Sequence, residues 1–311
     1  MTKVFIDGKA GTTGLRIYER LEARDDVEII TLSEEERKLP EARKRALNSC
    51  DIAFLCLPDD AARESVSMIE NDKVTVIDTS TAHRTDAAWC YGFPELSEEY
   101  EQKLLGAKRI AVPGCHASGF IALVYPLIKK GIINADAYLT CHSITGYSGG
   151  GKKMIAEYEA AVGRSVLLDA PRQYGISQQH KHLKEMKAIT GIDKAPCFCP
   201  IVSDFYSGML VTVPLFKEQL NEGYDINSIR KVYAEKYCTE IVKYTESLDE
   251  GGFVAANAVA GKDIMLVSVN GNEDRIILCA LYDNLGKGAS GAAVECMNTV
   301  MKVDKTTGLV L

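Results

Sequence analysis

The stretch VPGCHASGF, residues 112–120, places a thiol between a glycine and a histidine. Three roles are open to Cys115: a packed core thiol, a metal ligand or a nucleophile. Three features favour the nucleophile. The apolar run RIAVPG ahead of it reads as a strand end, where α/β sheets place ligand sites. A helix-like segment follows, and a thiol at a helix N-terminus ionises more readily. The neighbouring glycines leave room for a substrate carbon to approach.

A nucleophilic cysteine needs a base, and the chain has five histidines. His116 is adjacent in sequence, so its side chain is expected to point elsewhere. His83 lies in STAHRTD and His142 in an alternating strand-like run. His180 and His182 stand in SQQHKHLKEM. On a strand they would share a face; at a helix start they would diverge. The pair lacks the H-E-x-x-H spacing and has no evident carboxylate partner, so no metal site is expected. CFC at 197–199 reads as two thiols on one strand face.

A second constellation is GKAGTTG, residues 8–14. Gly8, Gly11 and Gly14 lie between a strand-like and a helix-like run. A tight turn there would present helix N–H groups to a pyrophosphate, with Thr12 and Thr13 as hydroxyl donors. The next strand ends IITLS and is followed by Glu34–Glu36 and Arg37. Ser33 in place of an acidic residue, with Arg37 nearby, suits a 2′-phosphate and favours NADP(H) over NAD. The same residues also make a capping box, Ser33 with Glu36. Pro58 and Ser80, which close the third and fourth strand runs, join the candidate cofactor set. In GYSGGGKKM, Ser148, Gly149 and Lys152 form a candidate anion cradle, or a flexible turn before a helix.

These residues need a scaffold. KVFIDG, VEIITLS, DIAFLCLP and VTVIDTS read as strands. Helical runs separate them, and Leu15, Tyr18 and Leu21 are expected to share the buried face of the first. This alternation predicts a doubly wound parallel sheet, an α/β Rossmann-type domain. Residues 117–130 read as a helix, and MLVTVPLF, IMLVSVNG and RIILCALYDN as strands of a second, α+β domain. GASGAAVECMNTVMKV is helical again, with Ala289, Ala293, Met297 and Met301 four apart. The expected division is residues 1–116 plus 288–311, and 117–287.

Composition narrows the function class. A net charge of −7 argues against a nucleic-acid surface. No run of about 18 apolar residues predicts a membrane helix, and the strand-like start KVFIDG leads to the expectation of no secretory signal. Ten scattered cysteines, such as Cys56 and Cys279 in apolar runs, read as packed thiols in a reducing, cytoplasmic setting.

Several motifs also converge on one family. DNLGKGASGAAVECMN, STAHR, YGFPEL, VPGC and YSGGGKKMIAEYE together resemble the semialdehyde dehydrogenases that act on acyl phosphates, and among them the shorter N-acetyl-gamma-glutamyl-phosphate reductases. The likeness runs nearly end to end. It implies NADPH-dependent reduction of N-acetyl-gamma-glutamyl phosphate to N-acetylglutamate 5-semialdehyde and phosphate, in arginine biosynthesis. Cys115 would attack the acyl phosphate, and the resulting thioester would accept hydride. The family's His-Arg-His stretch matches HKH here, which makes His182 the base and His180 the second choice. Arg172 would hold a substrate carboxylate. Asn284 and Lys287 would lie by the nicotinamide and the returning helix. The resemblance also implies a homodimer or homotetramer through the substrate-domain sheet. The rival readings are a dehydrogenase for another acyl phosphate, such as aspartyl phosphate, and a non-catalytic NADP-binding sensor.

Overall fold

The computed structural model describes residues 1–311, which divide into two compact units. The first takes Met1–Gly114 and Ala289–Leu309, the second Cys115–Gly288 and Val310–Leu311. Cys115 and His116, expected to close the first domain, therefore open the second unit.

The first unit begins β1 (Thr2–Asp7), α1 (Thr12–Glu22), β2 (Val27–Ile30), α2 (Pro40–Ser49), β3 (Ile52–Leu55), α3 (Asp59–Ser67) and β4 (Thr75–Asp78). It continues with β5 (Cys90–Tyr91), α4 (Glu98–Leu105) and β6 (Arg109–Ala111). Its six strands are all parallel, in the order β2-β1-β3-β4-β6-β5. Strands with both faces covered read as near-continuous apolar runs, and β3 and β4 are buried at every residue. Val4, Ile6, Phe54 and Ile77 face one core with Ile17 and Leu21; Phe5, Ala53, Leu55 and Val76 face the other with Ala46 and Leu47. The buried stripe of α1 is Gly14, Ile17 and Leu21, while Leu15 is 47% exposed. The expected Leu15–Tyr18–Leu21 face is thus rotated: spacing alone could not choose between two apolar stripes.

The second unit runs α5 (Cys115–Lys129), β7 (Thr140–Gly146), α6 (Gly151–Tyr158), β8 (Arg172–Gln173), α7 (His182–Thr190) and β9 (Cys197–Ser203). Then come β10 (Met209–Phe216), α8 (Ile226–Lys236), β11 (Val242–Tyr244), β12 (Met265–Gly271) and β13 (Arg275–Tyr282). A π-helical turn, Gly286–Ser290, leads back into α9 (Gly291–Met301) in the first unit, where Ala293 and Met297 join the core with Val4 and Ile77. The seven strands form a mixed sheet, β11-β12-β13-β10-β7-β9-β8. Helix α5 packs on β10 and β13, α8 on β12, and α7 on α5. The opposite face carries half-buried or exposed residues such as Ile144, Leu210 and Phe216.

Helix α5 is buried on all sides from His116 to Leu127, so its backbone must be satisfied within the protein. Pro126 lacks the N–H that would bond the Ala122 carbonyl four residues back. The Tyr237 hydroxyl donates to that carbonyl at 2.6 Å, and the Tyr233 hydroxyl donates to the Leu123 carbonyl. At the other end, the Tyr282 hydroxyl donates to the Cys115 carbonyl at 2.5 Å and accepts from the Gly119 N–H at 3.0 Å. It thereby bridges the two groups that bond directly in a regular helix. A Cβ on Gly119 would sit 2.7 Å from that hydroxyl, so this glycine admits the bridge.

Candidate active site

In the first unit the chain leaves β1 for β2 on one side and later returns to β3 on the other, which creates a switch point between β1 and β3. Gly8 stands there at φ +88°, and a Cβ would collide with the Cys56 carbonyl oxygen beyond β3. Gly11 donates its N–H to the Gly8 carbonyl at 2.8 Å and caps α1, so Thr12, Thr13 and Gly14 form the first helical turn. No acidic residue lies in that turn. The positive end of the helix and its free N–H groups are therefore available to an anion, and the turn fits a dinucleotide pyrophosphate.

The outer cofactor candidates are placed as follows. Ser33 and Glu36 form the reciprocal cap: the Ser33 N–H donates to the Glu36 carboxylate at 3.0 Å and the Glu36 N–H to the Ser33 hydroxyl at 3.2 Å. Arg37 pairs with Glu34 on the exposed surface. Pro58 caps α3. The Ser80 hydroxyl donates to Asp78 at 2.7 Å and accepts from the Ala82 N–H at 3.1 Å, so it is engaged internally. The same Asp78 carboxylate is 2.7 Å from His83 Nδ1, whose ring stacks on Trp89 at 4.0 Å.

In the second unit, Cys115 is the first residue of α5, half-buried. A Cβ on Gly288, in the π-helical turn, would lie 3.2 Å from the Cys115 Cβ, so the turn passes close over the thiol. The next residue, His116, gathers with two further histidines. The His116 and His182 ring centroids are 5.6 Å apart, His116 and His180 5.8 Å, and His180 and His182 4.7 Å. Of the two alternatives for His180 and His182, neither holds as stated: His182 opens α7, while His180 lies before the helix and on no strand. The His182 N–H donates back to His180 Nδ1 at 3.2 Å, which draws the rings together edge to face. No group of three or more His, Cys, Asp or Glu residues is arranged to hold a metal ion.

His116 has both ring nitrogens engaged, Nδ1 with the Ser143 hydroxyl and Nε2 with the Tyr174 hydroxyl, each at 2.6 Å. Burial, and then the charge of His180, pushes its pKa down to about 3. It is neutral at working pH. This carries a stability consequence. An unfolded His116 takes up a proton near pH 6.5, whereas the folded one resists it until about pH 3. The unfolded chain binds more protons in that window, so stability falls as pH drops from 6.5 towards 3, by up to about 1.4 kcal/mol per pH unit from this one group. Melting temperature against pH should therefore decline more gently below pH 6.5 in His116→Leu than in the parent; parallel curves would refute the assignment.

The candidate substrate residues divide. The buried Ser148 hydroxyl accepts from Asn284 Nδ2 at 3.0 Å, and the Asn284 carbonyl accepts from the Gly208 N–H at 2.9 Å. These two side chains tie together the segments after β7, before β10 and after β13. A Cβ on Gly149 would lie 3.4 Å from the same Asn284 amide. Lys152 is exposed on α6. Arg172 donates from Nε and Nη2 to the Tyr158 hydroxyl at 3.2 and 2.9 Å and lies 5.2 Å from the Tyr158 ring centroid. Lys287 is buried in the π-helical turn.

Comparison with known proteins fits this arrangement. Residues 3–103 match the model of the semialdehyde dehydrogenase NAD-binding domain, and residues 115–284 that of the semialdehyde dehydrogenase dimerisation domain. A protein of Nostoc sp. named N-acetyl-gamma-glutamyl-phosphate reductase 2 is 42% identical over 318 residues, covering 99% of each chain. One of Brucella ovis, named N-acetyl-gamma-glutamyl-phosphate reductase, is 43% identical over 305 residues, covering 96% of this chain and 98% of that one. The chain belongs to the semialdehyde dehydrogenase family, among the N-acetyl-gamma-glutamyl-phosphate reductases.

As a semialdehyde dehydrogenase it is an oxidoreductase, with its NAD(P)-binding domain in the first unit. The fold is also that of solved aspartate semialdehyde dehydrogenases. The Vibrio cholerae enzyme II superposes with a TM-score of 0.72 at 16% identity, over 97% of this chain and 98% of that one. A probable one from Pseudomonas aeruginosa gives 0.74 at 17%, with the same coverage. No helix of this dehydrogenase is long and apolar enough to cross a membrane. Sequence reading missed Ser143, Tyr174 and Tyr282, which surround Cys115 and His116. They lie 27 residues from His116, 58 from His116 and 167 from Cys115, respectively, and no local pattern links them.

Proposed function

We propose that this chain uses NADPH to reduce N-acetyl-gamma-glutamyl phosphate to N-acetyl-L-glutamate 5-semialdehyde and phosphate, in arginine biosynthesis. The observation that carries the reading is Cys115 at the start of α5, with His182 at the start of α7, on helices that pack together. It is supported by end-to-end relatives that bear this reductase name.

In this mechanism His182 takes the Cys115 proton, with His180 as its neighbour in the pair. The sulfur attacks the acyl carbon, the carbon–oxygen bond to phosphate breaks, and phosphate leaves with the proton. NADPH, when bound, supplies the hydride. The Cys115 thiolate is then expelled as the aldehyde carbonyl re-forms, and one proton taken up from solvent through His182 restores the thiol. The acyl phosphate's carboxylate is met by the Arg172 guanidinium, half-buried on β8. Ser148 and Asn284 hold the Gly149 backbone in place, and Lys152 adds positive charge at the start of α6.

The α1 turn, from Gly8 to Gly14, binds the pyrophosphate. Pro58 and Ser80 line the strand ends beside it. Ser33 is engaged with Glu36, so Arg37 is the group that meets a 2′-phosphate; its surface pairing with Glu34 is a weak tie. The open face of the seven-stranded sheet, with Ile144, Leu210 and Phe216, supports a homodimer or homotetramer. Ten free cysteines fit a reducing, cytoplasmic setting.

The test is the reverse reaction. Protein, N-acetylglutamate 5-semialdehyde, NADP and phosphate are combined and the reduced cofactor is followed by absorbance. Turnover should require all three and exceed that with aspartate semialdehyde, or with NAD, by about tenfold or more. Activity confined to the unacetylated aldehyde would overturn the reading.

A further inference from the structure

Gln178 is one of two non-glycine residues with a left-handed backbone, at φ +56°, and it stands two residues before His180. Residues other than glycine, asparagine and aspartate rarely take that conformation, so something must hold it there. The turn that leads to it is closed by the Gln178 N–H, which donates to the Gly175 carbonyl at 2.9 Å. The Gln178 side chain then reaches back to β9. Its Nε2 donates to the Phe198 carbonyl at 2.7 Å, and its Oε1 accepts from the Phe198 N–H at 2.9 Å. One side-chain amide thus makes both hydrogen bonds that a neighbouring strand would make.

The place it fills is where β8 stops. β8 pairs with β9 through Arg172 opposite Val202 and Gln173 opposite Ile201, and the Tyr174 N–H adds a bond to the Pro200 carbonyl at 3.0 Å. The chain then turns away at Gly175, φ +62°, before it reaches Phe198. Water could serve an N–H and a carbonyl at such an edge, and Gln178 is itself exposed, so satisfying those two groups does not require a glutamine in a strained conformation. What water could not supply is a fixed distance. The Phe198 ring is buried and lies edge-on to the His180 ring, with centroids 5.2 Å apart at 71°, and to the His116 ring, at 5.4 Å and 73°. Gln178, His180 and Phe198 therefore close a short circuit made of two residues of chain, a ring contact and a pair of hydrogen bonds. His180 Nδ1 in turn accepts the His182 N–H at 3.2 Å.

We propose that Gln178 is a positioning residue for the His180–His182 pair, clamping the segment before α7 to β9 so that the His180 ring is held against Phe198 and His182 keeps its place at the helix start. The left-handed backbone aims the amide back at β9, and the two hydrogen bonds hold the strain in place. Gln178 takes no proton itself and acts through His180. The inference deepens the proposed function and rests on it only for the role of His182 as base.

The full-length protein is tested with two readouts. Deuterium exchange at the imidazole C2 position, read by peptide mass, needs no substrate, and trypsin cuts after Lys181 and so separates His180 from His182. Asparagine tolerates a left-handed backbone but is one methylene too short to reach Phe198, so in Gln178→Asn the His180 ring should exchange about fivefold faster or more. Aldehyde oxidation should lose about tenfold in kcat while KM changes by less than about twofold, because the base is displaced and the substrate is not. Gln178→Glu keeps the reach and the acceptor but, ionised, has no donor for the Phe198 carbonyl, and should fall between the asparagine variant and the parent. Gln178→Gly, free of backbone strain, takes the place of the asparagine variant should that one not fold. Exchange at His180 that matches the parent overturns the inference, and so does a parent-like kcat where the parent oxidises the aldehyde; a lowered melting temperature alone would make the clamp a stability device. Faster exchange at His180 in variants of a parent inert toward the aldehyde supports the clamp and counts against the proposed function alone.

Discussion

Cys115→Ser is expected to lower phosphate-dependent aldehyde oxidation by about a thousandfold or more, equivalent to a barrier higher by about 4 kcal/mol. Sulfur and oxygen differ little in size, and Cys115 is half-buried at the start of α5, so the fold should be unaffected. What changes is the nucleophile: a serine hydroxyl ionises far less readily than a thiol, and the first bond-forming step slows accordingly. Three of the other thiols are poor substitutes. Burial pushes Cys50 and Cys56 up to about 12, and Cys141 still higher. Of the ten cysteines, Cys115 alone opens a helix. The measurement is initial rate at saturating semialdehyde, with melting temperature and NADP binding as controls. A variant that melts and binds cofactor normally, yet turns over within about tenfold of the parent, would remove Cys115 from the proposed mechanism.

The contrast between the two units shows what the sequence makes legible. In the first, each apolar run is one strand buried on both sides, and the turn at Gly8 needs a residue free of a side chain, so pattern and geometry coincide. The register of α1 was not legible, because Leu15 and Ile17 are equally apolar and only the core selects Ile17. In the second unit Cys115 could be singled out by its local setting between a strand end and a helix. Its surroundings could not. Pro126 would ordinarily argue against a continuous helix through residues 115–129, and the hydroxyl that satisfies the orphaned carbonyl comes from Tyr237, 115 residues away. Ser143 and Tyr174 reach His116 from β7 and the end of β8 in the same manner. Such partners are chosen by tertiary packing, and their type alone, one serine or tyrosine among many, marks nothing.

The two histidines of HKH should separate under substitution. His182→Asn is expected to reduce kcat/KM by about a hundredfold or more, within the range that general acid–base catalysis supplies, and His180→Asn by about tenfold. The asymmetry follows from placement. His182 is 6% exposed, opens a helix that packs against α5, and stands 5.6 Å, ring to ring, from the histidine next to Cys115. His180 is half-buried and its Nδ1 is occupied by the His182 N–H, so it has one nitrogen fewer to exchange a proton and acts mainly on the orientation of its neighbour. Rate against pH supplies the deciding readout. A residue that takes the thiol proton gives kcat/KM a limb on the acidic side, which His182→Asn should abolish and His180→Asn should only displace. The opposite pattern, with the limb lost in His180→Asn and kept in His182→Asn, would transfer the base to His180 and leave His182 as the residue that orients it.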